Sequence, residues 1–132
     1  MSKVYLKQAD SYQHHHLYPA VKEMTEWLGL PQRINGDTTI LLKPNMLSRS
    51  NPEKAVTTHP AVVEVVIELL KEMGAAAENI TIADSSGGPQ NAAIIAANYK
   101  GCGFTDVAER QGVNLYAHLE SKTVKTDGVM VK

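Results

Sequence analysis

Three polar clusters hold most of the groups in this chain that could do chemistry: Lys43-Pro44-Asn45, Thr57-Thr58-His59-Pro60, and Asp84-Ser85-Ser86-Gly87-Gly88. Together they offer an ammonium, an amide, hydroxyls, an imidazole, a carboxylate and a glycine pair. One chemistry would use them all, namely holding and turning over a small phosphate or carboxylate. Gly87 and Gly88 would let the backbone curl around the anion, and Ser85 and Ser86 would add hydroxyl donors. Lys43 would neutralise the charge. His59 would act as acid–base, with Asp84 orienting it or holding a divalent ion. Asn45, Thr57 and Thr58 would complete the binding set.

Each residue also has a plainer reading. Asp84 after a strand is common turn chemistry. His59 before Pro60 suits a helix N-cap, Asn45 could shape the turn after Pro44, and Lys43 could run out to solvent. The glycine stretch follows neither the Walker A spacing nor the dinucleotide G-x-G-x-x-G pattern, so an ordinary strand-to-helix turn stands beside the anion reading. Ser85 lacks a G-x-S-x-G elbow. The run His14-His15-His16 has no carboxylate or thiol partner at ligand-like spacing, which leaves adventitious nickel or zinc binding as its only metal chemistry. Cys102, in "KGCGF", reads as an inert small residue.

The elements that must position these groups come from the apolar pattern. "KVYLKQ" (3–8) reads as a first strand. Leu17, Val21, Met24 and Leu28 then recur at helical spacing up to a stop at Gly29 and Pro31. "TTILLKP" is a second strand. After the polar loop, Val62, Val66, Leu69, Leu70 and Met73 mark a helix that opens at Pro60 and closes at Gly74. "NITIADS" is a third strand, "QNAAIIAANY" a helix, and "FTDVAERQG" a short helix capped by Thr105. "VNLYAHL", "KTVK" and "GVMVK" are further strand candidates.

This alternation predicts parallel βαβ units. The expected fold is α/β: a three-layer, Rossmann-like, mostly parallel sheet with flanking helices, the tail forming a β-rich C-terminal edge. The near-continuous apolar strands suggest a sheet covered on both faces. Ligands of such sheets bind beyond the carboxyl ends of the strands. That edge would gather Asp10, Ser11 and His14–His16 from the first strand, Lys43, Asn45 and Ser48 from the second, and Asp84–Gly88 from the third.

Bulk composition narrows the function classes. The 132 residues suit one domain (1–132), with no internal repeat or linker. A net charge of −1 and 5% aromatic residues give no footing for nucleic acid. No apolar run reaches the ~18 residues of a membrane span. One cysteine suits a reducing, cytoplasmic setting and cannot supply a four-thiolate cluster.

With those residues in view, "ILLKPNMLSRSNPEKAVTTHPAVVEVVIELLKEMGA" and "ITIADSSGG" resemble the N-terminal part of the DUF362 family. The family pattern is Lys-Pro-Asn-Leu, a loop with Pro-Glu, Thr-Thr-His-Pro, a helix, and Gly-Asp-Ser after the next strand. Lys43, Pro44, Asn45, Pro52, Glu53, Thr57, Thr58, His59, Pro60, Asp84 and Ser85 stand at those places, while Met46 replaces the leucine and Ala83 the glycine. Likeness extends over roughly 3–120 and is strongest over 40–88.

The family's function is unknown, and its members often accompany ferredoxin-like iron–sulfur segments. The resemblance therefore implies the N-terminal part of a longer protein. It also implies a ferredoxin-like partner domain or protein, with any iron–sulfur cluster held there or in a segment outside this chain. Three readings follow: an enzyme module acting on an anionic small molecule, with a redox variant; a non-catalytic ligand-binding module; and a structural domain.

Overall fold

A computed structural model of the chain describes residues 4–88 and 91–116. The elements are α1 (His14–Trp27), β1 (Ile40–Leu42), α2 (Pro60–Glu72), β2 (Ile80–Ile82), α3 (Ala92–Gly101), α4 (Phe104–Gln111) and β3 (Asn114–Leu115), with short 3-10 turns at Pro52–Lys54 and Ala77–Asn79. The three strands pair in parallel in the order β1-β2-β3, with Ile40 opposite Ile80 and Thr81 opposite Asn114. The fold is α/β, a Rossmann-like parallel sheet flanked by four helices. No described helix is long and apolar enough to cross a membrane.

Local chemistry explains the best-defined crossover. Pro60 opens α2 where its missing N–H costs nothing, and His59 caps it through a ring nitrogen that accepts from the Ala61 amide. At the other end Gly74 N–H reaches the Lys71 carbonyl and Ala75 N–H reaches that of Leu70. These two bonds make a Schellman closure, as the glycine predicted. Between the caps, Val63, Ile67 and Leu70 join Ile80 and Ile82 of β2 in the main core. Ile95 and Tyr99 of α3 and Phe104, Val107 and Ala108 of α4 complete it. A second cluster joins Leu17 and Val21 of α1 to Val65 and Leu69 on the flank of α2.

The strand residues that meet this core are Ile40, Leu42, Ile80 and Ile82, all of one parity. Leu41, of the other parity, is 65% exposed. Among the described residues, then, the helices cover one face of the sheet.

Two further expectations differ. Residues 4–9 form no strand; they run extended beside α1, where Tyr5 meets Trp27 and Lys7 pairs with Glu23. A strand needs a neighbouring strand to pair with, and this segment has found a helix instead. Asp10, Ser11 and the histidines therefore enter α1 without leaving a strand, and His14 begins the helix. Gly103, and not Thr105, is the N-cap of α4. Its φ of +82° turns the chain so that fully buried Phe104 can begin the helix. "KTVK", "GVMVK" and residues 117–119 of "VNLYAHL" lie outside the described residues; the remainder of "VNLYAHL" contains β3.

Candidate functional site

β1 and β2 end side by side, and the loops that leave them are stitched together. The Ala83 N–H donates to the Leu42 carbonyl at 2.9 Å, and Gly87 N–H donates to Leu47 at 2.8 Å. Asp84 is central to this join. One carboxylate oxygen accepts the Met46 N–H at 2.8 Å, and the other lies 2.5 Å from the Lys43 ammonium. The Asp84 side chain is only 4% exposed, whereas that of Lys43 is 70% exposed. A buried carboxylate thus anchors one side of a cation that otherwise stands in solvent.

Behind Asp84, the Tyr99 hydroxyl accepts the Asp84 N–H and donates to its carbonyl. Burial of the ring raises the Tyr99 phenol above its ordinary value. Ser86 is buried, and its hydroxyl accepts from the Asn98 amide at 2.7 Å. Ser85 and Gly88 are exposed, and Gly88 has a φ of +85°.

The second polar cluster reaches the same edge. Thr58 and Asn45 form a reciprocal clip. The Thr58 N–H donates to the Asn45 carbonyl, and the Thr58 hydroxyl accepts the Asn45 N–H, both at 2.9 Å. The Asn45 side-chain amide donates to the Val56 carbonyl at 3.3 Å. Thr57 is buried, and its hydroxyl has no hydrogen-bond partner among the described residues.

His59 lies against Tyr12, ring over ring at 3.9 Å and 8°. Because Nδ1 accepts from Ala61, the neutral ring carries its proton on Nε2, 3.9 Å from Glu53. So capped, His59 presents a donor on the side of Glu53. Acting as a base there would require the other tautomer, which breaks the cap.

Topology thus brings Lys43, Asn45, Thr57, Thr58, His59, Asp84, Ser85, Ser86, Gly87 and Gly88 to one end of the sheet, from three parts of the sequence. Asp84 turns to Lys43 and Met46, and His59 turns to Tyr12 and Ala61. Gly87 gives its amide to Leu47. Tyr12, Asn98 and Tyr99 were missed by sequence reasoning, and each meets its partner through tertiary contact with no local signal. Of the other polar runs, His14 pairs with Glu68 and His16 with Ser11. No group of three or more metal-ligating side chains is arranged for an ion among the described residues. Cys102 is buried, with its thiol donating to the Ser48 carbonyl.

A parallel α/β sheet with a polar strand-end edge defines the class. The sequence matches the family described as a domain of unknown function, DUF362, over residues 40–131, and the chain belongs to that family. Comparison with curated proteins finds no match, and neither does comparison with solved structures.

Proposed function

We propose that the strand-end edge binds a small anion, a phosphate or a carboxylate, with Lys43 as its cation. The supporting observation is the lysine's asymmetry: one side is fixed by buried Asp84, and most of the side chain remains in water. A charge held in place costs less to recruit than one that must be ordered on binding. Around it, the Thr58 hydroxyl already accepts from Asn45 and keeps its own hydrogen to give. The Nε2–H of His59 and the exposed hydroxyl of Ser85 are further donors. A redox role beside an iron–sulfur partner is the variant that the family resemblance implies. Its cluster would come from outside this chain, whose one cysteine is Cys102.

A non-catalytic, structural reading has its own support, because Asp84, Asn45, Thr58 and His59 all bond inward. Titrating the labelled chain with inorganic phosphate separates the two. The anion reading expects saturable amide shifts at Lys43, Thr58 and Ser85 that Lys43→Met weakens about tenfold or more, as loss of a charged contact should. Titration without shifts at the edge, or shifts indifferent to Lys43→Met, would leave the structural reading.

A further inference from the structure

The described sheet ends at β1, and a shallow groove runs along that edge. Its volume is about 180 Å³, and Leu42, Pro44, Val62, Val63 and Val66 form its apolar wall. The Leu42 carbonyl faces β2, where it accepts from Ala83. In a parallel ladder the neighbouring residues, Leu41 and Lys43, then turn their backbone groups toward the open side. Such an edge is a template for one more strand.

The direction of the N-terminal segment suits that place. Tyr12 stacks on His59, His14 pairs with Glu68 and Tyr18 with Glu72, so α1 runs parallel to α2. Residues 4–10 run back along α1, with Tyr5 at Trp27 and Lys7 at Glu23. Because α2 returns antiparallel to β1, the segment travels in the same direction as β1. A strand, then α1, then β1 is the right-handed crossover already built by β1, α2 and β2.

The segment also has the alternation of a strand. Tyr5 and Lys7 turn to Glu23, while Val4 is 79% and Leu6 89% exposed. The phenol of Tyr5 is pushed up to about 12, chiefly by the neighbouring Glu23 carboxylate. Its seat on α1 is loose, since a hollow of about 250 Å³ lies between the segment and Leu17, Ala20, Val21 and Met24. Lys7 and Glu23 are both about half exposed, and such pairs hold weakly.

We propose that residues 4–8 form a strap that closes onto the free edge of β1 as a fourth parallel strand, the closed form being the more populated. Val4 and Leu6 take the groove, and the Tyr12–His59 stack is the pivot. Closure carries Asp10 and Ser11 to the strand-end edge beside Lys43, and it does so whether or not an anion binds there.

Amide hydrogen exchange on the full chain tests this. The comparison is a Tyr5→Pro/Leu6→Pro variant, because one of two successive residues must face β1. Leu41 and Lys43 amides should exchange about tenfold more slowly in the natural sequence than in the variant, while the amides of α2 do not change. Glu23→Gln, which releases the strap from α1, should slow them by roughly a further two- to fivefold. Unprotected Leu41 and Lys43 amides in the natural sequence overturn the proposal. Protection that survives the double proline does so too. Protection that grows with protein concentration would assign the edge to a second copy and equally overturn it.

Discussion

Replacing Asp84 with alanine is the most direct test of how the strand ends are joined. Met46 is fully buried, and its N–H has the Asp84 carboxylate as acceptor. Removing the carboxylate loses a hydrogen bond to a charged group, about 1.5–3 kcal/mol, and leaves a buried donor unsatisfied, about 1–3 kcal/mol. The two terms overlap, so the expected loss is roughly 2–4 kcal/mol. The Lys43 pair adds little, because a lysine 70% in solvent is screened, and such pairs give at most about 1 kcal/mol.

Urea unfolding reads this difference. With a slope of about 2 kcal/mol/M, Asp84→Ala should lower the midpoint by roughly 1–2 M, and Lys43→Ala by less than about 0.5 M. Asp84→Asn, which keeps an acceptor for Met46, should fall between them. If Lys43→Ala costs as much as Asp84→Ala at an unchanged slope, the ion pair and not the amide holds the loops together. The assignment of Asp84 as their anchor would then be wrong.

Two further substitutions probe the frame around this join. His59→Ala should cost about 0.5–2 kcal/mol in urea unfolding through loss of the α2 cap, and His59→Asn should recover most of it. Failure of asparagine to rescue would show that the ring's stack on Tyr12, not its cap, carries the stability. Glu64 accepts two hydrogen bonds from Arg110, and this guanidinium holds its carboxyl below the ordinary value of 4.5. A depressed carboxyl stabilises the fold above its unfolded value and loses that contribution as pH falls through the folded one. Glu64→Gln should therefore flatten part of the acid limb below the ordinary carboxyl value of 4.5, by less than about 1 kcal/mol because Arg110 is more than half exposed. An unchanged acid limb would mean that the pair contributes nothing.

The elements that sequence reading placed correctly are those whose signals are local. α2 has a proline start, an apolar stripe and a glycine stop within its own residues, and β1 and β2 have short apolar runs between turn residues. Residues 4–8 have as good an alternation as either strand, yet in the structure they lie along α1 and pair with no strand. Alternation says that one side of an extended chain is apolar, but pairing depends on where α1 sets the segment down. The α4 cap failed for a related reason. Thr105 has a capping side chain, but burial of Phe104 one residue earlier moves the helix start to Gly103.

Legibility of the candidate site divides the same way. Which residues would share an edge followed from topology alone, since parallel strands with return helices put every strand end and helix start on one side. What those residues do to one another did not. Asp84 lies 38 positions from Met46 and 15 from Tyr99, and nothing near it in sequence names either partner. This separation bears on function as well as on prediction. Backbone groups that leave a sheet lose their ladder partners and must find others. The Asn45–Thr58 clip and the Asp84–Met46 bond meet that need, so most of the polar chemistry of "KPN", "TTHP" and "ADS" is already engaged. Lys43 is the exception among the charged groups, because a single carboxylate contact leaves most of its side chain in water. Asp84, Asn45 and Thr58 hold the loops together, whereas Lys43 contributes little to that join, so the lysine is where binding and stability can be separated experimentally.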